Sequence, residues 1–197
     1  AEWRARFGSW MTTPEPEALL NATIFFDFRP LYGQDELVDS LHRWLLPQPE
    51  QNPRFLRAMT EQALGCTPAL GWFGNFSYDG GRRYPHTIDL KSYGSRPFVD
   101  AARIWGLRHG VWTTNTVERL REAGPLMNRQ ASDTAAAVEA FDVVQRLRLQ
   151  RQLGGGDYDE INRVNPSHLT APQRTMLKEA FHQAKLLQLR LRQEFLQ

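Results

Sequence analysis

The chain has 197 residues, 41% of them hydrophobic and 23% charged, which is close to the average for folded globular domains and excludes a wholly disordered chain. No apolar run approaches the roughly 20 residues a membrane-spanning helix needs. A net charge of +2 from 24 basic and 22 acidic residues is too small to argue for a nucleic-acid partner.

Only three of the basic residues are lysines (Lys91, Lys178 and Lys185), so arginine supplies nearly all the positive charge. Genomic base composition is one explanation; planar recognition of phosphate or carboxylate is the other. The charge is also uneven: residues 1–81 carry −4, residues 82–129 carry +5 and residues 130–197 carry +1. Cys66 is alone and can form no internal disulfide, which fits a reducing compartment, the cytoplasm by default. The chain starts at Ala1-Glu2-Trp3-Arg4 with neither an initiator methionine nor an apolar leader, and reads as a piece of a longer protein.

Apolar spacing near 3.6 runs through most of the sequence and predicts an all-α fold, a bundle of about six to eight helices. Trp3, Phe7 and Trp10 share one face of a short helix over 3–11. A second helix is expected over 15–28, with Pro14 near its start and Pro30 and Gly33 beyond its end. Leu37, Val38, Leu41, Trp44 and Leu45 form a stripe within 34–46, and Phe55, Leu56, Met59 and Ala63 form another within 53–64.

Residues 65–94 differ. After Gly65, five more glycines interleave with Trp72, Phe73, Phe76 and Tyr78, a composition for a long loop or a short hairpin, with Asp79-Gly80 as its tight turn. Helical spacing returns over 97–109 and over 116–123, with Gly110 and Gly124 as stops. A long helix capped by Ser132 or Asp133 then runs to about 153, where Gly154-Gly155-Gly156 ends it. Thr170 and Pro172 open the last helix, which is expected to lie antiparallel to the one before it.

Catalytic signatures are scarce. There is no phosphate-binding Gly-rich loop with its lysine, no His-Glu-x-x-His, no ligand spacing among His42, His86, His109, His168 and His182, and no serine elbow. Asp157, Asp159 and Glu160 lack the glycine and the closing glutamate of a calcium loop. Arg82, Arg83, Arg96, Arg103 and Arg108 cluster in sequence, but neighbouring acids argue against nucleic acid.

Two polar constellations remain. In Phe25-Phe26-Asp27-Phe28-Arg29-Pro30 a carboxylate and a guanidinium sit among aromatics, where each needs a partner. In Ile88-Asp89-Leu90-Lys91 alternation along an extended segment would point Asp89 and Lys91 to one side, and Arg103 follows Asp100 by one helical turn. Each group reads either as an internal salt-bridge network or as a set of donors converging on an anion.

At these residues the chain resembles the nucleotidyltransferase substrate-binding domain, a helical C-terminal module of bacterial signalling proteins. The matching pieces are Glu2-Trp3 with Phe7 and Trp10, 24–29 with Gly33, 88–91 with Pro97 and Ala102-Arg103, and Thr116 with Glu118-Arg119-Leu120. They continue through Leu147-Arg148-Leu149 with Gln152, Asn162 with Pro166 and Leu169, and 177–181. Such modules sit beside a nucleotidyltransferase domain related to PII-protein uridylyltransferase, often with cyclic-nucleotide-binding-like and CBS domains upstream.

The resemblance implies that residues 1–12 form a linker helix from an upstream nucleotidyltransferase domain and 13–197 the substrate-binding domain. The superfamily's Gly-Ser motif with its metal-binding acids has no counterpart here: Gly8-Ser9 leads into Trp10-Met11. The expected role is therefore non-catalytic, docking over the catalytic cleft and holding a nucleotide or protein acceptor. Asp27, Arg29, Asp89, Lys91 and Arg103 are the expected contact groups. No cofactor is expected in this chain, and nucleoside triphosphate and Mg²⁺ only with the catalytic domain. The competing expectation is a helical interaction or self-association module presenting Trp72, Phe73, Phe76 and Tyr78.

Overall fold

A computed structural model describes residues 2–71 and 73–197; Trp72, one of the expected interaction aromatics, lies outside the described residues. Eight α-helices follow in order: α1 (Glu2–Thr12), α2 (Pro16–Phe25), α3 (Asp35–Leu45), α4 (Pro53–Leu64), α5 (Arg96–Arg108), α6 (Thr116–Leu126), α7 (Ala131–Leu153) and α8 (Ala171–Phe195). Two short strands, β1 (Ile88–Asp89) and β2 (Arg163–Val164), pair antiparallel with Ile88 opposite Val164 and Asp89 opposite Arg163. The fold is an all-α bundle with this one small ladder. No described helix is long and apolar enough to cross a membrane.

The core is continuous from α1 to α8. Phe7 and Met11 of α1, Phe55 and Leu56 of α4, Phe98 and Trp105 of α5, and Leu177 and Phe181 of α8 are all buried in one cluster. Residues 2–12 therefore contribute to the same core as the rest. The α7–α8 interface is the largest between helices, and Arg190 near the end of α8 pairs with Asp133 at the start of α7 at 2.7 Å, so the two run antiparallel.

Thr170 opens α8 with a full capping box: its hydroxyl accepts from the Gln173 backbone, and the Gln173 side chain accepts from the Thr170 N–H. Gly154 ends α7, and Gly155 follows at φ +72°, a left-handed conformation that only glycine adopts without strain.

Several local expectations change. The second helix stops at Phe25 rather than 28, and the chain passes through a turn at Phe26 and Asp27 in which the Asp27 carboxylate is held by Arg103 and Arg119. The helix α7 starts two or three residues earlier than a Ser132 or Asp133 cap would place it, at an N-cap Gln130 that makes no side-chain capping bond; the Asp133 carboxylate is taken by Arg190. Residues 88–91 are not one extended segment. Only Ile88 and Asp89 are, and Leu90–Ser95 form a π-helical turn that Asp89 caps. The tight reversal in the Gly-rich stretch lies around Gly74, closed by a Leu70–Phe76 bridge, while Asp79 instead accepts from the Asp89 N–H.

Gly124 does not stop α6, which continues through Pro125 to Leu126. Its role is close approach: a Cβ there would lie 2.5 Å from the Thr134 hydroxyl of α7. A Gly124→Ala exchange, which on an exposed helix would gain about 1 kcal/mol in propensity, should here lower the urea midpoint. Adding Thr134→Ala should restore it, and equal midpoints for Gly124→Ala and wild type would refute the contact.

Candidate functional site

Asp27 of the first sequence constellation joins Arg103 of the second in an ion-pair network, which Arg29 does not enter. Asp27, in the turn after α2, faces α5 and α6. Its Oδ2 accepts from Arg103 Nη2 at 2.9 Å and Nε at 3.3 Å, and its Oδ1 accepts from Arg119 Nη2 at 2.5 Å. Arg119 belongs to the Glu118-Arg119-Leu120 piece of the family resemblance but is not among the expected contact groups. Its side chain is only 6% exposed. Two local features aim it: Asn115 caps α6, accepting from the Val117 and Glu118 N–H groups, and Gly106 of α5 leaves room for its stem, since a Cβ there would lie 3.3 Å from Arg119 Cδ. Arg103 also reaches Asp100 at 3.5 Å, and Asp100 accepts from Arg96 at 3.2 Å.

Burial alone would push the Asp27 carboxyl up, but the hydrogen bond from Arg119 and the charges of Arg103 and Arg119 outweigh it and hold the carboxyl below its ordinary 3.8. Asp100 goes the other way, because burial outweighs its two arginines.

The remaining expected residues lie in other surroundings. Arg29 is exposed, on the edge of an apolar groove of about 360 Å³ formed by Trp3, Phe25, Phe28, Leu37 and Leu41. Asp89 is half-buried and caps the π-helical turn, Oδ1 accepting from Lys91 N at 2.8 Å and Oδ2 from Ser92 Oγ at 3.1 Å. Lys91 is exposed and donates to the Tyr158 hydroxyl at 3.3 Å, its ammonium 5.6 Å from that ring's centroid. Asp27 and Arg103 are thus brought together, whereas Asp89 and Lys91 share no hydrogen bond or ion pair with Asp27, Arg29 or Arg103 among the described residues.

A second basic centre escaped sequence reasoning because its members come from separate segments. A cleft of about 530 Å³ opens between β1–β2, the end of α7 and the turn before α8. Leu147, Val164 and Leu169 supply its apolar lining; Arg83, Arg151, Arg163 and His168 supply positive or ionisable groups. Arg163 Nη1 pairs with Asp79 at 2.9 Å, its Nε is buried without a partner, and its guanidinium lies over the Tyr84 ring at 5.1 Å, as does that of Arg83. Arg151 donates to Gly155 O at 2.7 Å and stands 3.8 Å from Glu160. The volume suits a nucleotide-sized ligand, and guanidiniums are the natural partners of its phosphates. Arg83 meets Asp159 in the loop that also carries Tyr158, so Lys91 stands on the flank of this cleft.

Behind the cleft, Arg148 of α7 ties the pieces. It donates to Ser95 Oγ at 3.1 Å, Gln145 Oε1 at 2.8 Å and Asn162 Oδ1 at 3.1 Å, and Gln152 donates to the same Asn162 oxygen at 3.2 Å. Among the described residues no cluster of His, Cys, Asp and Glu has the arrangement of a metal site.

Residues 53–195, well over half of the chain, match the family described as "Putative nucleotidyltransferase substrate binding domain", and the chain belongs to that family. No curated protein and no solved structure matches.

Asp27→Ala leaves Arg119 buried without its counter-charge, and should cost roughly 3–5 kcal/mol in urea unfolding. The pH dependence has a definite sign. With its folded-state pKa held below 3.8, Asp27 contributes stability fully above that value and loses it as pH falls through the depressed one. The stability gap between wild type and Asp27→Asn should therefore shrink below about pH 4; a gap that is flat with pH would contradict the ionised pairing.

Proposed function

We propose that this chain is the part of a nucleotidyltransferase-like protein that holds the substrate and contributes no reacting group of its own. In this reading the phosphates of a nucleotide lie in the cleft of Arg83, Arg151 and Arg163, with Lys91 at its flank. The observation that carries it is the convergence of guanidiniums from three separate segments on one apolar-lined cleft, in a member of a substrate-binding family. The reacting groups, and Mg²⁺ with the nucleoside triphosphate, belong to a nucleotidyltransferase domain elsewhere in the protein. A cytoplasmic setting goes with it.

Docking onto that domain is the second half of the reading. The groove at α1–α3 supports it: Trp3, Phe25 and Leu37 are 48%, 40% and 69% exposed beside Arg29, an apolar face larger than single scattered residues explain. Arg29 and Lys91, whose charges are exposed, act as contact groups; Asp27, Asp89 and Arg103 act as positioning groups that hold the turns from which those contacts project. Against this, Phe76 of the Gly-rich stretch is not free for a self-association surface, since it packs against Phe181 and under Lys178; among the described residues of that stretch Phe73 and Tyr78 are the exposed aromatics.

Calorimetric titration of the chain with Mg–UTP and Mg–ATP tests the grip. Binding should weaken about tenfold or more in Arg83→Ala/Arg151→Ala, since each lost charge-assisted bond is worth about 1.5–3 kcal/mol, with the urea midpoint little changed. An unchanged dissociation constant, or no binding by wild type at millimolar nucleotide, would overturn it. Docking is read separately: Arg29→Ala and Leu37→Ser should keep the chain's nucleotide affinity and reduce transfer in the full protein. Wild-type transfer by both variants rejects the docking face.

A further inference from the structure

At the opposite end of the α7–α8 pair the chain turns from α6 into α7 through Asn128, held at φ +53°, and Arg129, whose N–H donates to Gly124 O at 3.1 Å. Asparagine tolerates this left-handed conformation better than most residues. The turn carries the Arg129 guanidinium back over the buried Trp105 ring of α5, 5.4 Å from its centroid. There it lines a cleft of about 540 Å³ with Gln130, Asp133, Arg190 and Glu194.

The donors in this cleft outnumber their acceptors. Arg129 makes no side-chain hydrogen bond or ion pair among the described residues, and its Nε and Nη1 are buried and unpartnered. Arg190 spends Nη2 on Asp133, while its Nη1 is also buried without a partner. Both acids at the cleft are engaged: Asp133 by Arg190 at 2.7 Å, and Glu194 Oε2 by the Trp105 indole N–H at 2.8 Å. Burial, with Arg190 adding and Asp133 opposing, pushes Arg129 down to about 10, so it is still charged at neutral pH. Helix α7 also begins here without a side-chain cap. Two neighbouring guanidiniums thus share one bonded carboxylate, and Arg129 is left without a counter-ion where burial makes an unpaired charge costly; an oxyanion in the cleft is the group that supplies one.

We propose that the cleft between the α6–α7 turn and the end of α8 is an anion site for a phosphate group, bound by Arg129 and Arg190. It is separate from the substrate cleft, from which the length of α7, 23 residues or about 35 Å at 1.5 Å per residue, divides it. Phosphate fits better than a carboxylate because its oxygens, spread in three dimensions, can meet donors arriving from two guanidiniums at once.

Inorganic phosphate is the probe, titrated into the chain in a phosphate- and sulfate-free buffer. It should raise the urea midpoint of wild type and of Arg151→Ala alike and shift the Arg129 Nε–H and Trp105 indole resonances. Arg129→Met removes an unpaired charge while keeping a long stem over Trp105. It should unfold at a urea concentration no lower than wild type without phosphate, and should not respond to phosphate. Arg129→Lys, which keeps the charge without the planar fork, should bind phosphate about tenfold more weakly or worse. A nucleoside monophosphate that binds no more tightly than phosphate makes the ion itself the ligand, and one that binds tighter makes it a phosphorylated metabolite. A wild type indifferent to phosphate, an Arg129→Met variant with the wild-type response, or a loss of both responses in Arg151→Ala would overturn the site.

Discussion

The Asp27 carboxylate, partly buried and shared by two guanidiniums, is the joint on which the molecule turns. It stands between the turn after α2 and the helices α5 and α6, so it fastens the first three helices to the body of the bundle. A buried pair of this kind adds little net stability over a well-packed apolar substitute, because both charges lose their hydration. What it contributes is uniqueness. Arg119 can be satisfied only if α6 starts where Asn115 caps it, if α5 offers the gap at Gly106, and if α2 ends early enough for Asp27 to reach across. Each condition constrains a different element, and the apolar groove beside Arg29 exists because all are met.

The arginine bias acquires a physical meaning from these surroundings. Lysine in place of Arg119, Arg148 or Arg163 would give one point charge where the fold uses a planar fork with several directed N–H groups. Arg148 addresses three acceptors on three segments, and Arg163 bonds Asp79 while lying over Tyr84. Most of the arginines named here hold turns and loops in place. Arg119, Arg129, Arg163 and Arg190 each finish with a buried nitrogen left over, and of these Arg163 lines the cleft beside β1–β2 and Arg129 and Arg190 line the one at the far end.

The helices were legible because burial imposes the 3.6 periodicity on every one of them: 53–64 and the cap at Thr170 were read correctly to the residue. Proline and glycine were the weaker guides. Gly124 carries the signature of a helix stop, yet its lack of a side chain serves contact with Thr134, a distance that no one-dimensional pattern encodes. The partial reading of the sites has the same origin. Asp27 stands out as a charge among aromatics and Arg103 as a charge one helical turn after Asp100, but their third partner is Arg119, 92 positions after Asp27. Arg83, Arg151 and Arg163 belong to segments with ordinary spacing, and only the β1–β2 ladder and the turn at Gly155 gather them. The family resemblance did point to Arg148, Gln152 and Asn162, which prove to be one hydrogen-bonded knot behind the cleft.

The two clefts differ in a way that bears on how such a module could work. Around the substrate cleft the arginines have acidic or carbonyl partners within reach, Asp159, Glu160, Asp79 and Gly155, so a ligand arriving there competes with contacts already made and can leave again. Arg129 has no hydrogen-bonded partner among the described residues, so an anion beside it displaces no protein group from it, while Arg190 and Trp105 already hold the two carboxylates of that cleft. The first arrangement suits a group that must be released at the end of each reaction cycle; the second suits one that stays. An anion held between Arg129 and Arg190 would also brace the start of α7 against the end of α8, through the Asp133–Arg190 pair. Because α7 runs as one uninterrupted helix from that brace to Arg151, order at one end restricts the tilt of the other. Such a phosphate group would then set how firmly the arginines of the substrate cleft are held, without touching what they bind.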